Sequence, residues 1–333
     1  MTNQTLRKIY KGKEIVITGG LGLIGSTIAH RLVALGAKIT ILDAELPRYG
    51  GNHFNIESIK KSVSFVKGDI RDKAVLDYLV MSKDIIFNLA AQVDYNYSQE
   101  DPFLDLDINC RGHLTLLESC RKFNKNIKIV FAGSRMEYGK ILQNPVNENH
   151  PTNPLSIYGV HKLTAEKYHQ AYFNHYGIRC VCFRITNPYG PRSQMKHPYY
   201  SILNWFIRQA MEGKDITVFG DGQQIRDYVF VEDIAEAMII AAVSDKTDGQ
   251  VYNVGSGRQT RFMDMVKMIV DVVGKGRMVK KEWPTSWQNV ETGDVYADIS
   301  KLKKDIDWEP RTSLKEGVRK TVDYYKKNKN NYW

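Results

Sequence analysis

Residues 18–25 read TGGLGLIG and join a short β-branched run, EIVIT at 14–18, to a stretch with helical periodicity, IGSTIAHRLVALG. A glycine-rich turn between a strand and a helix is the typical position of a dinucleotide-binding loop. Gly19 permits the tight turn, Gly22 lets the backbone approach a pyrophosphate, and Gly25 allows the helix to pack closely against the strand. This stretch therefore predicts the start of a dinucleotide-binding fold.

The residues around the loop indicate which dinucleotide it binds. The pyrophosphate would meet the free N–H groups of the helix N-terminus, where Leu23 and Ile24 stand. Asp43 ends the next strand-like run, eighteen residues after Gly25, where it can accept hydrogen bonds from both adenosine ribose hydroxyls and repel a 2′-phosphate. The loop contains no basic residue, although Arg48 is close to Asp43 in the chain. The pattern predicts NAD, rather than NADP, as the cofactor.

Strand-like and helix-like segments alternate through the first 135 residues. Apolar, β-branched runs lie at 14–18, 38–43, 63–69, 84–90 and 127–133. A long amphipathic helix pattern occupies 104–123, between the last two runs. Such alternation predicts an α/β fold, in which a doubly wound, mostly parallel Rossmann sheet is built through right-handed crossovers.

The regular alternation of strand-like and helix-like segments ends near residue 185. Beyond this point prolines and glycines mark loops, and helices mix less regularly with short strands. We therefore expect residues 1–185 to form an NAD-binding Rossmann domain and residues 186–333 to form a smaller, substrate-binding C-terminal lobe.

Composition and charge argue against several other classes of protein. The 333 residues are 43% apolar, and no apolar stretch approaches the roughly 20 residues of a membrane helix. The N-terminus lacks the apolar core of a signal peptide, so a cytoplasmic location is expected. The net charge of +10 is scattered without a nucleic-acid motif, which favours attraction of a phosphorylated small molecule over nucleic-acid binding. The four cysteines have no metal-ligand spacing, so no metal site is expected.

A hydroxyl, a phenol and an ammonium group stand further along the chain. Ser134 follows a buried strand pattern, and YGVHK at 158–162 places Tyr158 and Lys162 four residues apart. A phenol with a pKa of about 10 needs an adjacent cation to act as a base at neutral pH. These three groups could together hold and deprotonate an alcohol.

Six motifs follow one another along the chain: TGGLGLIG, GDI at 68–70, NLAA at 88–91, Ser134, YGVHK and RDYVFVEDIAEA at 226–237. Together they resemble the extended short-chain dehydrogenase/reductase family, specifically its nucleotide-sugar epimerases and dehydratases. The resemblance covers nearly the whole chain, from residue 14 to residue 325. It implies NAD as the cofactor and a nucleotide sugar as the substrate.

The resemblance also implies roles for individual residues. Tyr158 would be the acid/base, and Lys162 would hold the nicotinamide ribose and lower the tyrosine pKa. Ser134 would hydrogen-bond the substrate hydroxyl that is oxidised. The remaining cofactor contacts would be Asp69 and Ile70 beside the adenine, and Leu89, Ala90 and Ala91 along the dinucleotide.

Two positions after Ser134 separate the reactions of this family. Members that dehydrate sugars carry acidic residues there, whereas Arg135 and Met136 stand in this chain. Neither can act as a carboxyl acid or base, and Glu137 comes one place later. The simplest remaining reaction is 4-epimerisation of an NDP-hexose, by transient oxidation at C4 and re-reduction from the other face.

Other reactions stay open at this point. The pattern GSxxEYG also resembles some 4-keto-sugar reductases, and a 4,6-dehydratase or lyase would need Glu137 or a residue of the 92–101 loop to reach the sugar. Arg135 could contact an acidic sugar such as a uronic acid, or lie as a cation at the mouth of the site. A non-catalytic NAD-binding protein is the least favoured reading, since it would not need Ser134, Tyr158 and Lys162.

By resemblance, residues of the C-terminal lobe bind the substrate. Asn187 would hold the diphosphate, Phe219 would stack on the nucleotide base, and the planar fork of Arg226 would clamp the pyrophosphate. Many relatives have a second clamping arginine where this chain has Glu291.

The loss of that arginine has two explanations. Either Arg192 or Lys280 compensates for it, or the substrate sits differently. The helix patterns at 104–123 and 156–176 match those through which related proteins pair, so a homodimer is also expected by resemblance.

Overall fold

The computed structural model describes residues 1–46, 48, 50–283 and 291–333. Its main body is a seven-stranded parallel sheet with the strand order β11-β6-β5-β4-β1-β2-β3. The strands are β1 (Glu14–Thr18), β2 (Lys38–Asp43), β3 (Val63–Lys67), β4 (Ile85–Asn88), β5 (Lys128–Ser134), β6 (Arg179–Ile185), β7 (Asn187–Tyr189), β8 (Asp215–Phe219), β9 (Ile225–Arg226), β10 (Tyr228–Phe230), β11 (Gln250–Val254), β12 (Thr260–Arg261) and β13 (Arg277–Lys281).

Helices cover the sheet and build the smaller lobe. They are α1 (Asn3–Tyr10), α2 (Leu23–Ala34), α3 (Lys73–Leu79), α4 (Tyr97–Glu100), α5 (Pro102–Leu106), α6 (His113–Phe123), α7 (Ile157–Tyr176), α8 (Ile202–Met211), α9 (Val231–Ala242), α10 (Phe262–Val273), α11 (Ser300–Ile306) and α12 (Leu314–Asn328). Tighter 3₁₀-helical turns span His53–Ser62, Arg135–Glu137, Asp245–Thr247 and Lys329–Asn331.

Alternate residues of the strands face opposite layers of helices. Ile15 and Ile17 of β1 are buried in one core with α2 and α9, whereas Val16 is buried in another with α3 and α6. This follows from the period of two along a strand, which sends successive side chains to opposite faces. Because both faces are covered, the strands read as continuous apolar runs. The predicted α/β fold with a doubly wound parallel sheet is confirmed.

The strand runs found in the sequence correspond to β1 to β5, and their ends differ by no more than two residues. The long helix predicted over 104–123 is not uniform. Between α5 and α6, residues Asp107–Gly112 form a wider π-helical turn. Periodicity alone could not find this turn, because inserting a π turn shifts the apolar stripe by only one position. Ile108 of this turn reaches the cleft described below.

The C-terminal residues contribute to both parts of the fold. Strand β11 pairs with β6 and becomes an edge of the main sheet. A separate core is formed by α8, α10 and α12 with the parallel pair β8 and β13. The division into units at residue 185 stays a prediction, and any such division must allow for β11, which lies beyond it.

The described part of the chain contains no helix with the length and apolar character needed to cross a bilayer. The four cysteines, all described, are buried and form no disulfide.

Candidate active site

A cleft of about 340 Å³ opens at the carboxyl ends of the parallel strands. It lies beside β1 and β4, where the order of the sheet reverses, which is the position at which open α/β sheets bind ligands. All of the predicted cofactor residues line it, namely Gly19, Gly22, Leu23, Ile24, Gly25, Asp43, Asp69, Ile70, Leu89, Ala90, Ala91, Tyr158 and Lys162. Ser134 and Asn187 line it as well.

The glycine loop leaves room that side chains would fill. Gly19 has a φ of +67°, and a Cβ there would lie 3.0 Å from the Ala90 backbone. A Cβ on Gly25 would lie 2.3 Å from the carbonyl oxygen of Gly19, closer than any real contact. Gly22 is the N-cap of α2 and provides no side chain to its first turn, so the backbone N–H groups there can meet an anion.

Asp43 lies at the end of β2 and faces the cleft. Its carboxylate accepts hydrogen bonds from the Leu21 N–H at 3.1 Å and the Glu45 N–H at 3.0 Å, which leaves acceptor positions for ribose hydroxyls. Burial raises the pKa of this carboxyl, and those two hydrogen bonds oppose the rise. Arg48 is directed elsewhere, with its guanidinium 3.6 Å above the ring of Tyr97.

This combination fits NAD. The close approach allowed at Gly19 and Gly25 and the helix N-terminus suit its pyrophosphate, and Asp43 suits an unmodified adenosine ribose.

The three groups expected to do chemistry come together at one end of the cleft. Ser134 ends β5, Tyr158 lies in the first turn of α7, and Lys162 follows one turn later. The Ser134 side chain is close enough to the Tyr158 hydroxyl to lower the pKa of Tyr158. The Lys162 ammonium donates to the carbonyl of Ala132 at 2.5 Å and lies 4.5 Å from the centre of the Phe131 ring.

Burial dominates the electrostatics of these groups. It raises the pKa of Tyr158, while the nearby Ser134 side chain and the charge of Arg135 lower it. Burial lowers the pKa of Lys162 to about 8, against the opposing effect of Glu137 and Asp105. Arg135 therefore favours ionisation of Tyr158. By resemblance, this role was expected of Lys162.

Glu137 lies behind Ser134 and away from the cleft. Its Oε1 accepts the Ser134 N–H at 2.6 Å, and its Oε2 lies 3.4 Å from Arg184. The Arg184 guanidinium in turn donates two hydrogen bonds to the carboxylate of Glu166. Gly133 leaves room for the Glu137 carboxylate, because a Cβ at Gly133 would lie 2.5 Å from Glu137 Oε1. Burial and the adjacent Glu166 raise the pKa of Glu137 well above its ordinary value. Its contacts direct Glu137 into the protein rather than towards a ligand.

Only Asn187 of the predicted substrate residues reaches the cleft lining. Arg192 instead directs its guanidinium to Thr27 on α2 at 3.0 Å, so the structure does not bring it to the cleft as a phosphate clamp. Phe219 has its ring centre 5.9 Å from that of Trp283, in the smaller lobe. Lys280 lies on β13, outside the cleft lining, so neither proposed replacement for the missing arginine lines the cleft.

Arg226 has protein partners where a diphosphate was expected. Its guanidinium contacts Glu291 at 2.6 Å and the carbonyl of Gly293 at 3.1 Å. The residue that replaces the family's second arginine therefore pairs with the first. A diphosphate at Arg226 would have to displace or rearrange this ion pair.

Two tyrosines of the lining were missed as site residues. Tyr95 and Tyr228 both face the cleft, and burial raises the pKa of each. The Tyr228 hydroxyl has no hydrogen-bond partner among the described residues. Tyr228 stands inside the RDYVFV motif, which could have revealed it, whereas the 92–101 loop gave no signal that distinguishes Tyr95.

Gly25→Ala should weaken NAD binding by about 10- to 100-fold, which corresponds to 1–3 kcal/mol of overpacking. The added Cβ meets the Gly19 carbonyl and displaces the loop that carries the cofactor. Equilibrium titration with NAD measures the effect. Gly12→Ala is the control, because it strains a φ of +79° in open space far from the cleft. Equal losses in the two variants would contradict the assignment.

Lys162→Met should raise the free energy of unfolding of the NAD-free protein at pH 7, by roughly 1–2 kcal/mol after loss of the bond to Ala132. Because the native pKa is lowered to about 8 from 10.5, burying the charged form is unfavourable below pH 8, and this cost disappears as the pH rises to 10.5. The gain should therefore shrink over that window in urea unfolding. Exposed Lys8, replaced by Met, is the control. A gain independent of pH would refute the assignment.

Comparisons with known proteins agree with this geometry. The model of the NAD dependent epimerase/dehydratase family matches residues 15–255. A Methanocaldococcus jannaschii protein that carries the provisional name UDP-glucose 4-epimerase is 35% identical over 317 residues, covering 94% of this chain and 99% of the relative.

Solved structures extend the similarity. The UDP-glucose 4-epimerase of Thermotoga maritima, solved with UDP-glucose, is 28% identical, with a TM-score of 0.86 over 95% of this chain and 99% of that chain. The Thermus thermophilus UDP-glucose 4-epimerase, solved with NAD, is 30% identical, with a TM-score of 0.83 over 94% and 99%.

Relatives with other reactions are nearly as similar. A dTDP-glucose 4,6-dehydratase of Xanthomonas campestris is 29% identical over 94% of this chain and 93% of its own length. A UDP-N-acetyl-alpha-D-glucosaminuronate decarboxylase of Bacillus cytotoxicus is 28% identical over 96% and 99%. The protein is thus an NAD-dependent enzyme of nucleotide-sugar chemistry, and the chain belongs to the NAD-dependent epimerase/dehydratase family.

Proposed function

We propose that the protein is a nucleotide-sugar 4-epimerase, which inverts C4 of an NDP-hexose through a transient 4-keto sugar. The observation that carries this proposal is the composition of the reacting end of the cleft. Ser134, Tyr158 and Lys162 meet there, while the two positions after Ser134 hold Arg135 and Met136.

The described lining supports epimerisation over dehydration. Its carboxylates are those of Asp43 and Asp69, both at the adenosine end, while Glu137 is held behind Ser134. Asp94 of the 92–101 loop is buried and accepts the N–H groups of Asn96 and Tyr97. Removal of a C5 proton and protonation of a departing C6 hydroxyl need carboxyl groups that reach the sugar.

The chain's own residues would manage the proton of the substrate hydroxyl. Ser134 orients this hydroxyl, and Tyr158 takes its proton and later returns one. The positive charges of Lys162 and Arg135 favour the phenolate that exists between these events. NAD, when bound, supplies the two-electron oxidation and reduction at C4. The names of the Methanocaldococcus and Thermotoga relatives also support an epimerase.

Tyr158→Phe should lower turnover by about 100-fold or more while NAD still binds, because only the phenolic oxygen is lost. The assay follows C4 inversion with a panel of nucleotide sugars, and NAD affinity is titrated in parallel. Tyr176→Phe, at the exposed end of the same helix, is the matched control. Unchanged turnover in Tyr158→Phe would sink the proposed mechanism.

We also propose that two copies pair through α5, α6 and α7. Phe103 and Leu106 on α5 and Val160 on α7 are large apolar side chains that stay exposed in the single chain, Phe103 by 78%. Exposed apolar groups that cluster on adjacent helices are typical of interfaces between protein chains.

Phe103→Asp should convert a dimer into a monomer, because the proposed contact would bury a charge without a partner. Light scattering coupled to size-exclusion chromatography gives the mass. Tyr78→Asp on α3, where the tyrosine is 76% exposed, is the control and should leave the mass unchanged. A monomeric wild-type protein would exclude the dimer.

A further inference from the structure

Arg135 is a cation inside the reacting end of the cleft. It follows Ser134 directly and lines the same cavity as Tyr158. One of its nitrogens, Nη1, donates to the Thr292 hydroxyl at 3.0 Å. This bond anchors one side of the guanidinium, and among the described residues no other hydrogen bond to its side chain is present.

The charge of Arg135 is not balanced by a direct ion pair with a described residue. The acid that acts on it most strongly is Glu291, and the Oε1 of Glu291 already contacts Arg226 at 2.6 Å and the Gly293 N–H at 3.0 Å. Two arginines therefore share one carboxylate. Burial and the charge of Arg226 lower the pKa of Arg135 to about 10, as expected for a desolvated cation with too little compensation.

A half-buried cation without a partner is unfavourable unless a ligand brings an anion. The guanidinium fork suits two parallel oxygens, such as those of a carboxylate or a phosphate. The cofactor's pyrophosphate belongs to the far end of the cleft, at the N-terminus of α2. The anion that Arg135 faces must therefore come from the substrate.

The position of Arg135 selects among the anions of a nucleotide sugar. Ser134 and Tyr158 define where the C4 hydroxyl reacts, in a site whose assignment rests on the proposed function. Arg135 lines the same cavity as Ser134 and Tyr158, with its guanidinium held on the side of Thr292, so a sugar that reacts there lies within its reach. On a hexose, the group nearest to C4 that can carry two anionic oxygens is a carboxylate at C6.

The surroundings are compatible with such a group. The carboxylates of the described lining, Asp43 and Asp69, lie at the other end of the cleft, and Glu291, the acid that acts most strongly on Arg135, is already paired with Arg226. Met136 offers no acid for the loss of a C6 hydroxyl, and a sugar with a C6 carboxylate has no such hydroxyl to lose.

We propose that Arg135 binds a carboxylate on the sugar ring, and that the substrates are nucleotide-linked hexuronic acids in preference to neutral hexoses. The substrate diphosphate is the other possible source of the same anionic oxygens. The two sources differ in one respect, because only the carboxylate distinguishes an acidic sugar from its neutral counterpart.

The test compares matched pairs of glucuronate and glucose, each linked to UDP, dTDP, GDP or CDP, in turnover with the NAD-loaded enzyme. The wild type should prefer the acidic member by about 10- to 100-fold in kcat/KM, the range expected for a charge-assisted fork. Arg135→Gln should remove this preference, and Arg135→Lys should keep part of it. Arg111→Gln, at an exposed residue of the π turn, is the control and should retain the full preference.

A wild type without preference for the acidic sugar, or a preference that survives in Arg135→Gln, would overturn the proposal. A loss in Arg135→Gln that is equal for both sugars would assign Arg135 to the diphosphate instead.

Binding separates this inference from the proposed reaction. Titration of NAD-loaded Tyr158→Phe with UDP-glucuronate and UDP-glucose measures recognition without turnover. If the acidic sugar binds about 10- to 100-fold more tightly through Arg135 but the wild type does not invert C4, the inference about Arg135 is supported and the proposed epimerase activity is contradicted. If neutral sugars are inverted at C4 and both sugars bind equally, the proposed epimerase activity is supported and the inference about Arg135 is contradicted.

Discussion

The bond from the Lys162 ammonium to the carbonyl of Ala132 is the contact on which the reacting site depends. It ties the first turns of α7 to the end of β5, and so fixes Tyr158 beside Ser134. Burying the Lys162 ammonium is unfavourable, as its lowered pKa indicates. The fold accepts this cost next to Tyr158, where the proposed mechanism uses the positive charge. Behind the same strand end, Glu137 holds the Ser134 backbone, and Arg184 and Glu166 hold Glu137. The site is therefore supported from both sides of β5.

Charge is divided along the cleft. Asp43 and Asp69 stand at the adenosine end, whereas Lys162 and Arg135 stand at the reacting end, with Arg226 nearby. This division suits a cofactor whose ribose is recognised by carboxylates and a substrate that carries anionic groups. In the proposed epimerase, the same division leaves no carboxyl group in the described lining of the reacting end to carry out elimination. The acids needed for elimination are replaced by a cation and a thioether, and the remaining carboxyl, Glu137, serves the structure.

Local patterns in the sequence were enough to predict the sheet and the cofactor end. The strands are short β-branched runs, and the glycine loop depends on contacts between residues close in the chain, such as Gly19 and Gly25. The placement of Tyr158 and Lys162 in the same cleft could also be predicted, because four residues make about one turn of a helix. The π turn over 107–112 could not, since it changes the hydrogen bonding of a helix without changing its apolar character.

The substrate end required tertiary information. Arg226 and Glu291 are 65 residues apart in the chain, and no pattern in either segment predicts their ion pair. Arg192 was a candidate because of its neighbours in the chain, yet its backbone, with a φ of +73°, belongs to a turn that directs the side chain to α2. Tyr95 lies in a loop without a motif. Such residues are brought to a site, or away from it, by the packing of the smaller lobe.

Proton NMR in D2O, with the enzyme, NAD and a panel of nucleotide sugars, tests the central claim most directly. The account predicts a C4-inverted product that carries no deuterium at carbon, with no accumulation of NADH, because C4 loses and regains the same hydrogen. A 4-keto-6-deoxy product with deuterium at C5 would contradict the account. It would mean that a carboxyl acid and base reach the sugar despite Arg135 and Met136.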